Sequence, residues 1–172
     1  MAQRSTKAQR RESAPAPHIE CIARGLLVRD ARVLLCLSVG GGYGYLPGGH
    51  VEFGEPASAA LQRELLEELG LRVRVGPPLL VHEYAFVDLR GATHHELNTV
   101  FHVEARRAKD LDALASREAD IRFEMVPIER LPATRILPTP MKRWLIQRCA
   151  EPKGTSQGLG WLSSRFPRQS QT

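Results

Sequence analysis

Residues 49–71 read GHVEFGEPASAALQRELLEELGL and carry the most constrained pattern of the chain. It places glycines and charged residues at the spacing G-x5-E-x7-R-E-U-x-E-E-x-G-U, in which U is a bulky aliphatic residue. The fixed positions are Gly49, Glu55, Arg63, Glu64, Leu65, Glu67, Glu68, Gly70 and Leu71. A chance match at so many constrained positions is a poor explanation.

The stretch predicts a helix with two different faces. Pro56 suits the first turn of a helix, and Gly70 suits the left-handed position at which helices commonly end. At ~100° per residue, Glu64, Glu67 and Glu68 fall on one side of this helix and its leucines fall on the other. The helix is therefore expected to pack through one face and to present carboxylates on the opposite face.

The acidic face admits two interpretations. Most glutamate-rich helix faces are simply solvated, and repulsion of this size is tolerable in water. Gly48 and Gly49 favour a metal site instead, because a metal held between a helix and a closely approaching loop requires residues without side chains. Mg2+ is a hard cation that is typically held by a few carboxylates together with the phosphates of a substrate.

On these residues the chain resembles the Nudix hydrolase family, whose members use divalent metal ions to cleave a diphosphate that links a nucleoside to another group. The resemblance implies Mg2+ as the cofactor, with Mn2+ as a substitute, and Glu64 and Glu68 as its primary ligands. Glu67 is implied as a further ligand or as a carboxylate that orients the water, and the carbonyl of Gly48 as a completing ligand. Arg63 is expected to brace the glutamates by ion pairing.

The general base in this family varies and often lies outside the motif. Residues 116–120, SREAD, precede a strand-like segment, so Glu118 is the first candidate for the base and Asp120 is the second. Loop solubility explains these two acidic residues equally well. The predicted catalytic residues are Arg63, Glu64, Glu67, Glu68 and Glu118.

The rest of the chain is rich in strand patterns. Residues 22–28 and 32–38 predict a hairpin, and further strands are expected near 79–87, 97–104 and 121–126. Apolar residues at helical spacing predict a second helix over about 140–149. Strands interleaved with two helices indicate the α/β class, and the resemblance implies an α/β/α sandwich with a mixed β-sheet between helices.

The 172 residues suffice for one well-buried core and are too few for two. Residues 1–17 and 151–172 are rich in Ser, Gln, Pro and Arg, so we expect two disordered tails around a single domain at 18–150. Most of the formal net charge of +5 resides in the ends, since residues 21–150 hold 17 basic and 16 acidic groups. Either tail can touch RNA, but a solubilising role is the commoner one for short basic tails.

The chain begins with basic residues that no apolar run follows, and no stretch approaches the length of a membrane span. We therefore expect a cytoplasmic protein with no membrane partner. The sequence leaves a homodimer open.

Residues that can bind a nucleobase occur on or beside the second and third strands after the motif. The candidates for substrate contact are His82, Tyr84, His95 and Asn98. Stacking or hydrogen bonding to a base is one interpretation, while surface histidines and ordinary strand aromatics are the more frequent one. The sequence does not specify the substrate.

The predicted reaction is metal-dependent hydrolysis of a diphosphate linkage in a nucleoside diphosphate derivative, such as a nucleoside triphosphate or ADP-ribose, by attack of water at phosphorus. One alternative is a pyrophosphohydrolase of RNA 5′ ends, for which the basic tails would assist; RNA is not the favoured partner. The other alternative is a non-catalytic module that senses a nucleotide. A sensor has usually lost a carboxylate of the motif, and this chain has lost none.

Overall fold

The structure is a computed structural model that describes residues 18–87, 91–112, 114–151 and 158–164. Its strands are β1 (Glu20–Leu26), β2 (Val28–Arg29), β3 (Arg32–Ser38), β4 (Gly44–Tyr45), β5 (Gly48–His50), β6 (Val73–Val87), β7 (Thr93–Ala105), β8 (Ile121–Pro127) and β9 (Gly160–Ser163). Its helices are α1 (Ala57–Leu69) and α2 (Thr139–Ala150), with 3-10 turns at Ala108–Leu111 and Ile128–Arg130. In these ranges no helix combines the length and the apolar run that crossing a bilayer requires.

The strands form two sheets. The larger sheet has the order β5-β1-β7-β6-β9 and is mixed, because β1 with β7 and β6 with β9 pair in parallel while the other pairs are antiparallel. In the smaller sheet, β3 pairs antiparallel with β2, β4 and β8. The predicted mixed α/β architecture is confirmed.

The core consists of two apolar clusters, one for each helix. Successive side chains of a strand point to opposite faces, and β3 shows this alternation clearly. Leu34 and Cys36 pack in the cluster that contains the buried face of α1, whereas Val33 and Leu35 pack in the cluster that contains α2. The strands therefore lie between the two helices, as an α/β/α sandwich requires.

Helix α1 has the ends that the sequence predicts. Pro56 precedes it, and Gly70 ends it in the left-handed conformation at φ +68°. The Gly70 amide donates to the Leu66 carbonyl at 2.9 Å, and the next amide donates to the Leu65 carbonyl at 3.0 Å, which satisfies two carbonyls at the helix end. Ala60, Leu61 and Leu65 form its buried face, which leaves the glutamates on the other side.

The predicted hairpin of residues 22–28 with 32–38 is wrong over most of its length. Strand β1 ends at Leu26 and pairs with β5 and β7 in the larger sheet, so only the two-residue β2 pairs with β3. Leu26 is buried in the α2 cluster and Leu27 in the α1 cluster. The chain passes from one sheet to the other at these two residues, which a continuous apolar run does not reveal.

The later strands and the second helix are confirmed, with β6 beginning six residues earlier than expected. The C-terminal region differs from the prediction, because residues 160–163 form β9 instead of a disordered tail. Leu162 packs against the α2 cluster, and Gly160 allows a close approach to the side chain of Leu80. The Ser- and Gly-rich composition concealed this short apolar segment. The expectation for residues 1–17 lies outside the described residues.

The helix end provides a stability prediction. Gly70→Ala should lower the free energy of unfolding by about 1–2 kcal/mol, because a Cβ is unfavourable in the left-handed conformation. Urea denaturation of both proteins measures the difference. Gly158→Ala is the matched control, since a Cβ at Gly158 meets open space at an ordinary φ. Equal losses in the two variants would contradict this account of the helix end.

Candidate active site

A cleft of about 480 Å3 lies beside the acidic face of α1. Its walls include the carboxylates Glu64, Glu68, Glu96 and Glu118 and the aromatic rings of Tyr43, Tyr45, Tyr84 and Phe86. The glycines of β5 form part of the same wall. Two of the three predicted helix carboxylates therefore face a space that can accept a ligand.

Arg63 joins the loop before α1 to the helix. Its Nε and Nη2 donate to the two oxygens of Glu55, each at 3.0 Å, and Nη2 also donates to the His50 carbonyl at 3.1 Å. Its Nη1 donates to Glu64 at 2.9 Å and to Glu67 at 3.2 Å. The hydrogen bonds with Glu55 are the main cause of a raised pKa for Arg63 and a lowered pKa for Glu55. These contacts match the expected bracing role.

Among the carboxylates of the cleft, Glu68 has the most strongly shifted pKa. Burial raises its pKa from 4.5 to about 7, and the charges of Glu118 and Glu64 add to this increase. Arg24 opposes the effect. Glu67, in contrast, has a side chain that is 59% exposed and pairs with Arg63. The structure thus brings Glu64, Glu68 and Glu118 together and places Glu67 at their outer edge.

Glycines make room for this cluster. A side chain at Gly49 would collide with the carboxylate of Glu64. At Gly48, φ is +131° and a Cβ would collide with the Ala23 carbonyl, so only glycine fits this close approach of β5 to β1. The Gly48 carbonyl, predicted as a metal ligand, accepts a hydrogen bond from Arg24 Nη1 at 2.9 Å, which leaves one lone pair.

The donor set fits a hard divalent cation. Within the described ranges, no three acidic, histidine or cysteine side chains are grouped as a complete metal cage. Mg2+ does not need one, because it usually takes one or two carboxylates and completes its shell with waters and substrate phosphates. Glu64 and Glu68 place two carboxylates beside the space that Gly49 leaves open.

The loop that carries Glu118 is fixed to the end of α1. The backbone amide of Arg117 donates to the Glu68 carbonyl at 2.9 Å, and the hydroxyl of Ser116 and the backbone of Glu118 are joined by two hydrogen bonds. Glu118 lines the cleft as a result. Asp120, the second candidate for the base, is not among the residues that line it.

Arg24 is a site residue that sequence analysis missed. Its Nε donates to Asn98 Oδ1 at 3.2 Å, and its guanidinium group lies 5.4 Å from the centre of the Tyr45 ring. Asn98 is 4% exposed and donates in turn to Glu96 at 2.9 Å. Predicted as a substrate contact, Asn98 instead holds two cleft residues in place. The available signal was an arginine inside an otherwise apolar strand.

A row of stacked rings forms one wall of the cleft. Tyr84 and Phe86 have ring centres 5.1 Å apart, and Phe86 and His94 have centres 4.9 Å apart at an interplanar angle of 11°. Tyr84 and Phe86 lie two residues apart on β6, so both point to the same face. We call these two residues the aromatic wall. Tyr84 was predicted to contact substrate, whereas Phe86 was missed.

The two predicted histidines lie outside the cleft lining, which differs from the expectation that they contact substrate, although the ring of His82 stacks on Tyr84 with centres 5.6 Å apart. His82 is fully buried, accepts or donates one hydrogen bond at 2.8 Å with Ser164, and has a pKa lowered to about 4 by burial. His95 lies 3.4 Å from Glu83. Neither lines the cleft. The C-terminal segment covers His82, and strand alternation points His95 away from the face that carries Glu96.

A sandwich that presents helix-borne carboxylates and a loop carboxylate to one cleft is compatible with a hydrolase of phosphoric anhydrides. The NUDIX domain family model matches residues 20–147. The chain belongs to this family and is a Nudix-type diphosphohydrolase, and such enzymes generally use divalent metals.

Solved structures share the fold. The ORF135 protein of E. coli is 22% identical, with 78% of this chain and 94% of that chain covered and a TM-score of 0.59. A MutT protein from Methanosarcina mazei is 19% identical, with 79% and 96% covered and a TM-score of 0.60. An ADP-ribose pyrophosphatase from Streptococcus suis is 12% identical, with 83% and 98% covered and a TM-score of 0.60. No curated protein sequence matches the chain.

The perturbed carboxylate predicts a pH-dependent stability. Because the pKa of Glu68 is higher in the folded protein than its ordinary 4.5, the folded state binds this proton more tightly, and stability falls as pH rises from about 4.5 through about 7. Glu68→Gln should therefore raise the metal-free Tm at pH 8 and leave it nearly unchanged at pH 5. Thermal unfolding in EDTA measures both values.

The exposed Glu67 supplies the control for this measurement. Glu67→Gln removes the same charge from the same helix face but should give a smaller, weakly pH-dependent shift, because that side chain is largely solvated. A Glu68→Gln effect of equal size at pH 5 and pH 8 would disprove the assigned origin.

Proposed function

We propose that this protein hydrolyses a diphosphate linkage in a nucleoside diphosphate derivative, such as a nucleoside triphosphate or ADP-ribose, with Mg2+ as its cofactor and Mn2+ as a substitute. The observation that carries the proposal is the meeting of Glu64, Glu68 and Glu118 in one cleft that also has an aromatic wall. Carboxylates suit the cation and the reaction, while aromatic rings suit a nucleobase.

Glu64 and Glu68 would hold the cation, and Arg63 fixes the carboxylate of Glu64. The cation supplies charge neutralisation at the phosphate oxygens and a lowered pKa for the attacking water. Glu67 would then orient rather than ligate, because its side chain is 59% exposed and is not part of the cleft lining that contains Glu64 and Glu68. Without a cation, the close carboxylates repel one another. Binding of a cation would offset this repulsion and the cost of burying the charged form of Glu68.

Glu118 would act as the general base. It faces the helix carboxylates across the cleft, and its loop is held to the end of α1. In the proposed step, a water oxygen forms a bond to phosphorus, the bridging P–O bond breaks, and the proton of the water passes to the Glu118 carboxylate. The leaving group is a nucleoside phosphate or pyrophosphate.

The remaining walls favour a nucleotide substrate. Tyr84 and Phe86 offer ring faces for stacking on a base, and Glu96 offers an acceptor beside them whose position is fixed by Asn98. Arg24 also lines the cleft, and its positive charge acts on Glu68. A non-catalytic sensing role is less well supported, because each carboxylate of the motif is present.

Exchange of the proposed base tests this assignment. Glu118→Gln should lower kcat by about 10²–10⁴-fold, because removal of a general base costs about that much, and should retain the rise in Tm on adding Mg2+. The Glu64→Gln/Glu68→Gln double variant should lose both activity and the Tm rise. Assays cover a panel of nucleoside triphosphates, ADP-ribose and 5′-triphosphorylated RNA, with Asp120→Asn as the matched variant. If Asp120→Asn lowers kcat and retains the Tm rise on adding Mg2+, while Glu118→Gln retains activity, the base is Asp120.

The aromatic wall is tested separately. Phe86→Ala should raise KM for the best nucleotide substrate by roughly tenfold, because stacking on a base contributes about 1–3 kcal/mol. Phe53→Ala is the control, since Phe53 is fully exposed in the loop before α1 and does not line the cleft. Steady-state kinetics give both KM values. An unchanged KM in Phe86→Ala would remove this residue from the base-binding wall.

A further inference from the structure

A second cavity, of about 290 Å3, adjoins the catalytic cleft at Tyr43, which lines both. Its lining includes Arg122, Arg130 and Arg135, and we call it the arginine pocket. It opens on the other face of β8, since Ile121 lines the cleft whereas its neighbour Arg122 lines the arginine pocket. Tyr43 is therefore a boundary that the two cavities share.

The arginine pocket carries an excess of positive charge. Glu124 is the acidic residue in its described lining, and it lies 3.7 Å from Arg122. Among the residues that the structure describes, no carboxylate forms an ion pair with Arg130 or Arg135. Guanidinium groups present planar forks of N–H donors that match phosphate oxygens in pairs. The pocket thus has the charge and the donors that a phosphate group requires.

A continuous row of side chains joins this pocket to the cleft. The guanidinium of Arg24 lies 5.4 Å from the Tyr45 ring centre, the rings of Tyr45 and Tyr43 have centres 6.3 Å apart, and the guanidinium of Arg135 lies 5.9 Å from the Tyr43 ring centre. Each contact stands between a cation and a ring or between two rings. This row places one guanidinium group beside the cleft and another beside the arginine pocket, with two tyrosine rings between them, so each end offers a cation to a phosphate group.

We propose that the arginine pocket is a second anion-binding subsite, which holds a phosphate group that the substrate carries beyond the diphosphate that is hydrolysed. The inference rests on the proposed function, because that function places the hydrolysed diphosphate in the cleft. Two sources carry such a phosphate: a dinucleotide with an additional phosphate monoester, and a 5′-triphosphorylated RNA, whose phosphodiesters follow the triphosphate. Both present oxygen anions to the same guanidinium groups.

Two matched substrate pairs separate these sources. NADP+ and NAD+ differ by one phosphate monoester, while a 5′-triphosphorylated RNA hexamer and the nucleoside triphosphate of its first residue differ by the following phosphodiesters. The test variant is Arg130→Gln/Arg135→Gln. The control is Arg143→Gln, which removes an exposed arginine of α2 that lines neither cavity. Equal Tm values verify that the variants fold.

The wild-type protein should favour the phosphate-bearing member of at least one pair by about tenfold in kcat/KM, as one added charge-assisted contact allows. The double variant should lose this preference and keep kcat/KM for the simpler member within about twofold. Arg143→Gln should retain the preference. The preference should weaken as salt rises in the wild type and in Arg143→Gln, because phosphate binding releases counterions. The pair that shows it identifies the source of the phosphate.

Calorimetric binding of both members of each pair, NADP+ with NAD+ and the 5′-triphosphorylated RNA hexamer with the nucleoside triphosphate of its first residue, makes the test independent of turnover. If no compound is hydrolysed but the wild type binds the phosphate-bearing ligand more tightly and the double variant does not, the proposed hydrolysis fails and the subsite stands. If hydrolysis is observed but neither pair shows a preference, or the double variant retains it, the arginine pocket is only a solvated basic surface and this inference is overturned.

Discussion

The guanidinium group of Arg63 is the contact on which the geometry of the active site depends. One planar group holds both oxygens of Glu55, the carbonyl of His50 and the carboxylates of Glu64 and Glu67. The loop that leads from β5 is thereby fixed to the helix that follows it. A lysine in its place would supply the charge but not the fork of donors that satisfies these partners together.

The candidate site holds several acidic side chains close together although their charges repel one another. Glu64, Glu68 and Glu118 share a partly buried cleft, and Arg24 offsets only part of their repulsion, as the raised pKa of Glu68 indicates. The ionised carboxylate of Glu68 would have a lower free energy in open solvent, to which Glu67 is largely exposed. Packing of the leucine face of α1 and the contacts of Arg63 hold Glu68 in the cleft. One side of the helix therefore stabilises the fold by packing, and the other side carries the carboxylates of the candidate site.

Local signals in the sequence were sufficient for α1, because Pro56 and Gly70 mark its ends and a glutamate pattern marks its outer face. The pairing of β1 was not predictable in this way, since its partner β7 lies more than 70 residues later in the chain. Arg24 and Phe86 were missed for the same reason: each enters the cleft through strand register that only the assembled sheet defines. The acidic loop before β8 offered both Glu118 and Asp120 as candidates, and only the fold shows that Glu118 lines the cleft whereas Asp120 does not.

Strand β9 changes where this domain should be considered to end. The family match stops at residue 147. Residues 160–163 nevertheless pair with the four residues of β6 that directly precede the aromatic wall, and Ser164 forms a hydrogen bond with His82. A boundary drawn from the family alone would leave the edge of β6 without its hydrogen-bonding neighbour and open to association with other chains. Because this added strand lies outside the family match, substitutions in it change the support of the strand that carries the aromatic wall without changing the sequence of α1.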